Sequence, residues 1–138
     1  ERKMLRKWRE VLIEEYGDQD DDWWVKGVPK KVRGKCSIRW EDENRQDDYW
    51  NYLDILDYQD LVKHNESLKP FFLYDPDNVD KNWKQLSVRR SLGWLVKFNN
   101  IRKKYAHSSR RPPTYKDLKF LEKMSKWFTD NSRSYSDV

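Results

Sequence analysis

Apolar residues recur at helical spacing along most of the chain. Near its start, Leu5, Trp8, Leu12 and Tyr16 lie three or four residues apart, which places them on one face of an α-helix. The pattern predicts a helix over about residues 2–16, and the next residue, a glycine, fits its end. The longest periodic segment is predicted to begin near Asp80, a suitable N-cap. Its apolar positions are Trp83, Leu86, Trp94, Phe98, Ile101 and Tyr105.

The segment after Pro29 permits two interpretations. Proline suits the first turn of a helix, and Val32, Cys36 and Trp40 then recur at spacing four. The alternation of Cys36, Ile38 and Trp40 also fits a strand, and an intervening glycine weakens the helix. We prefer the helix, because no second strand-like run exists to pair with it.

Two further helices complete the predicted fold. One is expected from about Asp48 to Asn65, followed by an aromatic loop over residues 70–74. The other follows Thr114, which begins a capping-box pattern with Asp117. The predicted core residues are Trp94, Phe98, Ile101, Leu118 and Leu121, and Met124 and Phe128 extend the stripe of the last helix. Four to five helices without strands predict an all-α antiparallel bundle.

The composition is that of one small domain. A chain of 138 residues is expected to form a single domain over residues 1–138. The 36% hydrophobic and 38% charged residues approach a disordered composition, but eight Trp, eight Tyr and five Phe predict a compact aromatic core. The chain begins with Glu1 rather than Met, which fits a domain excised from a larger protein.

Cysteine usage and hydropathy indicate an intracellular setting. The single cysteine, Cys36, excludes an intrachain disulfide and fits a reducing compartment, so we predict a cytoplasmic protein. No run approaches the ~18 apolar residues of a membrane span. The carboxylates Asp54, Asp57 and Asp60 recur every three residues, and we interpret them as a solvated stripe because a metal site needs more ligands. We therefore predict no metal and no cofactor.

Basic residues gather in the second half of the chain. The net charge is +5 with a pI near 9.2, and residues 102–119 hold seven Lys and Arg against one acid, Asp117. Arg102 and His107 are five positions apart, or about 140° around a continuous helix. Their side chains converge only if the helix ends or bends between them, which Pro112 and Pro113 favour.

An arginine beside a histidine suits the cleavage of RNA. The 2′-hydroxyl of RNA is its own nucleophile, so a protein needs a base, an acid and a fixed cation. Histidine titrates near neutrality, and arginine matches phosphate oxygens with a planar fork. One histidine cannot readily be base and acid at once, but two copies across a two-fold interface can. The chemistry therefore predicts a homodimer.

The segment from Trp94 to Arg102 and on to Ala106-His107 resembles the Arg-x4–6-His signature of the HEPN superfamily (higher eukaryotes and prokaryotes nucleotide-binding domains). The continuation Arg110-Arg111-Pro112-Pro113-Thr114-Tyr115 resembles a HEPN branch found in transcript-surveillance and bacterial defence proteins, as does the earlier stretch over residues 29–36. The resemblance covers about residues 90–125. It implies a bundle of about four helices, frequent homodimers and, in many members, metal-independent endoribonuclease activity.

The resemblance assigns Arg102 and His107 as catalytic residues of an RNA-cleaving domain, as in antiviral defence proteins. The expected RNA-binding residues around them are Lys103, Lys104, Tyr105, Ser108, Arg110 and Arg111. Lys103 stands where many active members have a small polar residue, and Ser109 replaces a tyrosine of nucleotide-transferring relatives, whose activity is not expected.

The alternative function is a non-catalytic module that binds RNA or a nucleotide, or dimerises a parent protein. The Lys103 departure favours this alternative. On the residue types alone, Arg102 can also be a cation that complements a helix dipole, and His107 a loop histidine bonded to backbone. The expected partners are RNA, a second copy of the chain and other domains of a parent protein.

Overall fold

A computed structural model describes residues 2–78, 80–106 and 112–136, and within these ranges the secondary structure is helical, without strands. The all-α prediction is confirmed for them. The α-helices are α1 (Arg2–Tyr16), α2 (Asp22–Gly27), α3 (Lys30–Asp42), α4 (Asp57–His64), α5 (Lys69–Phe72), α6 (Val88–Ser91), α7 (Gly93–Ala106) and α8 (Tyr115–Ser136). Short 3-10 turns lie between several of them. The helices outnumber the four to five predicted.

The chain divides into two compact units, residues 1–70 and residues 71–138. Their charges are opposite. The first unit has 14 Lys and Arg against 17 Asp and Glu, a formal charge of −3, whereas the second has 15 against 7, a formal charge of +8. The surplus of positive charge in the whole chain therefore comes from the second unit.

The first helix of the first unit has the predicted bounds. Trp8 and Leu12 are fully buried on its apolar face, and Gly17 ends it with φ +84°, a left-handed conformation that glycine adopts without steric cost. The ring of Trp8 lies 5.5 Å from that of Trp23 in α2. Gly27 of α2 packs so closely on Leu12 that a Cβ there would lie 2.7 Å from Leu12 Cδ1.

The helical interpretation of the segment after Pro29 is confirmed. Pro29 is the N-cap of α3, and the missing proline N–H costs nothing at that position. Val32 and Cys36 are buried, whereas Ile38 is 64% exposed. The helix therefore buries the spacing-four face and leaves the alternating strand pattern unsupported.

The continuous helix predicted from Asp48 to Asn65 is wrong. Residues Tyr49–Tyr52 form a 3-10 turn, and α4 begins only at Asp57. The physical reason is the set of contacts made by the buried carboxylate of Asp57. Asp57 accepts a hydrogen bond from Arg39 Nη1 at 2.8 Å and another from the backbone N–H of Asp54 at 2.9 Å, so the preceding residues turn out of the helical path.

The carboxylates of this segment also differ from their predicted environment. Asp57 is buried, with its side chain 4% exposed, while Asp54 is 60% exposed. Arg39 contacts both, and Lys35 Nζ lies 3.8 Å from Asp57 Oδ1. The solvated-stripe interpretation is therefore wrong for Asp57, which is an ion-paired part of the interior.

In the second unit, the long helix predicted from Asp80 is interrupted. Asn82 and Ser87 cap separate short elements, the 3-10 turn Trp83–Gln85 and α6, so Asp80 is not the N-cap. The long helix, α7, begins at Gly93. Trp83 and Leu86, three residues apart, belong to the 3-10 turn and its C-cap, where apolar residues at this spacing share a side as they do in an α-helix. The predicted aromatic loop over residues 70–74 likewise overlaps the short helix α5.

The predicted core residues of the second unit differ in how deeply they are buried. Trp94 and Ile101 are buried, Phe98 and Leu121 are partly buried, and Leu118 is 44% exposed. The core prediction is thus wrong for Leu118. Over residues 115–131 of α8, the buried residues are instead Met124 and Phe128, and the face that they define turns Leu118 outward.

Candidate nucleic-acid interface

Arg102 lies near the C-terminal end of α7 with its side chain exposed. Lys103 and Lys104 follow it and are exposed as well. Predicted site residues His107, Ser108, Arg110 and Arg111 lie outside the described residues. The convergence of Arg102 and His107 therefore stays a prediction.

The helix that presents Arg102 is firmly packed within the second unit. Trp94 donates its indole N–H to the carbonyl of Phe72 at 2.8 Å, and its ring lies 5.8 Å from that of Trp127 in α8. Leu95 and Ile101 of α7 are buried as well. Arg102 thus projects from a helix whose position is set by buried contacts along its length.

Four residues join the end of α7 to the start of α8. The Tyr105 hydroxyl donates to Asp117 Oδ2 at 2.6 Å and accepts a hydrogen bond from the Thr114 backbone N–H at 3.0 Å. Lys104 Nζ lies 3.2 Å from the same oxygen of Asp117. We call Lys104, Tyr105, Thr114 and Asp117 the interhelical clamp. It fixes the places where the chain leaves α7 and enters α8.

Thr114 also caps the N-terminus of α8, as its capping pattern predicts. Its hydroxyl accepts a hydrogen bond from the Asp117 backbone N–H at 3.2 Å, which satisfies one of the free donors of the first turn. In a reciprocal capping box, the Thr114 N–H would donate to Asp117. Here Tyr105 accepts that hydrogen bond, so Asp117 is available to bind the cation and the hydroxyl of α7.

The clamp keeps its two ionic members charged. The Tyr105 hydroxyl lowers the pKa of Asp117, and hydrogen bonds from Lys104 and Thr114 lower it further. The hydrogen bond and charge of Asp117 raise the pKa of Lys104. Lys104 and Tyr105, both predicted to bind RNA, therefore already contact a carboxylate, and their contribution to RNA binding stays a prediction.

The structure also brings together cations that were not predicted as a site. Lys97 of α7 and four lysines of α8 line an open groove of about 490 Å³, together with Phe120 and Glu122. We call this surface the lysine groove, with the lysines Lys97, Lys116, Lys119, Lys123 and Lys126. The spacing of the last four, three or four residues apart, was the sequence signal for a shared face.

The histidine and the cysteine of the first unit, His64 and Cys36, both contact neighbouring parts of the fold. His64 Nε2 lies 3.2 Å from the carbonyl oxygen of Lys26. Burial, followed by the charge of Asp57, raises the pKa of the Cys36 thiol to about 12, which keeps the thiol protonated and unreactive at neutral pH. Within the described ranges, no group of three or more His, Cys, Asp or Glu is arranged to hold a metal ion.

Comparison with protein-family models, curated proteins and solved structures finds no match to this chain. The resemblance to HEPN domains therefore rests on the residues of the chain itself. Among the described residues, no helix is both long and apolar enough to cross a membrane.

Proposed function

We propose that this chain is a HEPN-type, metal-independent endoribonuclease domain that cleaves RNA at a composite Arg102/His107 site in a homodimer. The observation that supports it is the exposed Arg102 at the end of a packed helix, next to the clamp that ties Tyr105 to Thr114. The segment with His107 connects these two anchored points. The +8 charge of the second unit favours an anionic substrate.

The proposed reaction uses the RNA's own nucleophile. His107 of one copy takes the proton of the 2′-hydroxyl as its oxygen attacks phosphorus. The bond from phosphorus to the 5′-oxygen breaks, and His107 of the other copy gives that oxygen a proton. Arg102 stabilises the negative charge that grows on the phosphorus oxygens. The products are a 2′,3′-cyclic phosphate and a 5′-hydroxyl.

The two histidines of the chain provide a matched test. His107→Ala should lower the cleavage rate in EDTA by about 10²–10⁴-fold, the usual value of a proton-transfer group. His64→Ala is the control, because His64 is exposed and contacts a backbone carbonyl of the first unit. Equal rates for His107→Ala and wild type would contradict the proposal.

The arginine is tested in the same way. Arg102→Ala should lower the rate by about 10²–10³-fold if its loss resembles that of an oxyanion donor, while Arg89→Ala, on the exposed surface of α6, should have no effect. Mixing the Arg102→Ala and His107→Ala proteins tests the composite site. Each heterodimer has one histidine and one arginine, so activity should stay low if the cleft needs the histidines of both copies. Activity that returns on mixing would show that the arginine of one copy and the histidine of the other suffice.

A non-catalytic RNA-binding or dimerisation module is the second candidate, favoured by Lys103. This lysine replaces the small polar residue that many active HEPN proteins have after the arginine. Binding of RNA without turnover by the wild type, together with cleavage by Lys103→Asn, would support this second function. Cleavage by the wild type itself would exclude it.

A further inference from the structure

The lysine groove combines positive charge with aromatic surface on one flank of α8. Lys116, Lys119, Lys123 and Lys126 fall within about 80° of arc and extend about 15 Å along the helix. Within the described part of the chain, none of them forms an ion pair with a carboxylate. Glu122 is the one acid among the residues that line the groove.

Aromatic rings lie under three of the groove's cations. Lys97 Nζ is 4.3 Å from the centroid of the Phe120 ring, and Lys119 Nζ is 4.9 Å from that of Tyr115. Lys123 Nζ lies 5.9 Å from the Tyr74 ring. Tyr115 is the outermost of these rings, with 73% of its surface exposed at the first residue of α8.

This combination fits one class of polyanion better than others. A row of lysines attracts any phosphate backbone, but the exposed ring of Tyr115 beside them offers a stacking surface to a base that is not already stacked in a duplex. An acidic peptide would use the lysines and leave Tyr115 without a partner. The groove also begins at the first turn of α8, next to Asp117 and the interhelical clamp.

We propose that the lysine groove binds the backbone of single-stranded RNA, with Tyr115 stacking on a base, and leads the strand toward the end of α7. This inference rests on the proposed function, because it names the surface that holds the substrate of the Arg102/His107 site. It assigns roles to six residues that are not among the predicted RNA-binding residues: Lys97, Lys116, Lys119, Tyr115, Lys123 and Lys126.

The groove is tested by binding a fluorescent single-stranded RNA whose 2′-hydroxyls are methylated, so that no nucleophile remains. One variant changes Lys116, Lys119, Lys123 and Lys126 to Gln. Its control changes Arg2, Arg6, Lys30 and Lys31 to Gln, four exposed cations of the first unit, and lowers the net charge equally. Unchanged circular dichroism and melting temperature establish that both variants are folded, and an all-Arg groove variant should retain binding.

Salt dependence gives the expected size of the effect. Each lost phosphate contact to a single strand lowers the slope of log affinity against log salt by about 0.7. Four lost contacts therefore make the affinity of wild type fall about 50-fold more than that of the groove variant between 50 and 200 mM salt. Equal slopes for the groove variant and the wild type would overturn the proposal.

Substitutions of Tyr115 distinguish the binding of RNA from the binding of other polyanions. Tyr115→Ala should weaken RNA binding by about 5- to 150-fold, the loss expected for one stacked base, and Tyr115→Phe should retain it. Polyglutamate, used as a second probe, should bind weakly, and neither substitution should change its affinity. If polyglutamate binds as tightly as RNA and Tyr115→Ala leaves RNA binding unchanged, the groove accepts acidic protein segments and the RNA proposal fails.

The same proteins distinguish failure of the groove from failure of the proposed function. His107→Ala should bind the methylated RNA like the wild type although it no longer cleaves unmodified RNA. If the groove variant binds RNA like the wild type and His107→Ala is inactive, the proposal for the groove fails and the proposed endoribonuclease function stands. If the groove variant loses RNA binding and His107→Ala still cleaves RNA, the proposal for the groove is supported and the proposed Arg102/His107 site fails.

Discussion

Two sets of cations, one in each unit of this chain, lie in contrasting environments. In residues 1–70, the guanidinium of Arg9 lies 4.3 Å from the centroid of the Trp50 ring, and Arg39 contacts two carboxylates. In residues 71–138, the lysines of the groove form no such ion pairs within the described ranges, and the formal charge is +8 rather than −3. The first arrangement satisfies charge internally, whereas the second leaves it available to an anionic partner.

The difference shows why total charge is a poor guide to a binding surface. A net charge of +5 is modest, because the acidic first unit offsets the basic second one. Local charge determines the attraction of a polyanion. Substitutions in the first unit should therefore change stability without changing salt-dependent binding, and substitutions in the groove should do the opposite.

The largest expected effect on folding is that of Trp8→Ala. Trp8 is fully buried and packs on two neighbouring tryptophans, so the truncation should lower the free energy of unfolding by about 3–5 kcal/mol. Denaturant unfolding measures it. Cys36, buried and with its thiol pKa raised to about 12, reports opening of the first unit through its rate of thiol labelling, which should rise.

The salt slope of RNA binding provides the control for Trp8→Ala. It should stay at the wild-type value under conditions in which the variant is folded, because the groove belongs to the second unit. A changed slope with unchanged Cys36 labelling would contradict the division of roles between the units.

Loss of the buried carboxylate of Asp57 should have the next largest effect. Asp57→Ala removes a buried carboxylate that accepts hydrogen bonds from Arg39 and the Asp54 N–H. Arg39 keeps its contacts with Asp54 and the Tyr52 carbonyl, so the expected loss is about 1–3 kcal/mol, the cost of buried hydrogen-bonding groups left without a partner. Asp54→Ala is the matched control, because Asp54 contacts the same arginine with 60% of its side chain exposed. Its cost should be below about 1 kcal/mol. Equal losses in urea unfolding would show that burial does not distinguish the two contacts.

Loss of the cap on α8 should have a smaller effect on stability. Thr114→Ala removes the hydroxyl that accepts from the Asp117 N–H, at a cost of about 1 kcal/mol. Thr114→Ser retains an acceptor and should remain close to wild type in thermal unfolding. A Thr114→Ser protein as unstable as Thr114→Ala would indicate that the threonine methyl, rather than the cap, stabilises this turn.

The smallest expected effect is a pH dependence from the clamp. The pKa of Asp117 is lowered from 3.8 in the folded chain, so the unfolded state binds its proton first as the pH falls. The contribution of Asp117 is fully present above about pH 4 and is lost as the pH falls through the lowered pKa. Tyr105→Phe removes the largest cause of the shift, and a series of unfolding curves from pH 7 to pH 2 should show less acid destabilisation in this variant. An unchanged pH profile would contradict the hydrogen bond.

Local signals in the sequence predicted the elements that depend on local chemistry. The first helix follows from its apolar stripe and Gly17, α3 from Pro29, and the start of α8 from Thr114. In each case the residue that begins or ends the helix lies beside it in the chain. These predictions are confirmed for that reason.

The errors come from partners that are distant in sequence. The break before α4 depends on Arg39, 18 residues before Asp57, and no periodicity reveals such a pair. The exposure of Leu118 depends on which face of α8 its neighbours cover. The spacing of lysines in α8 could have predicted the lysine face of that helix. Its position beside Lys97 could be known only from the fold.

The chemical ends of the cleaved RNA are the sharpest test of the proposed endoribonuclease mechanism. Wild-type protein is incubated in EDTA with an RNA that contains one 2′-deoxynucleotide at the preferred site, alongside the unmodified RNA, and the product ends are identified by mass. The proposed mechanism predicts a 2′,3′-cyclic phosphate from the unmodified RNA, no cleavage at the deoxynucleotide and no products with His107→Ala. Cleavage that requires Mg²⁺, or products with a 3′-hydroxyl, would contradict it.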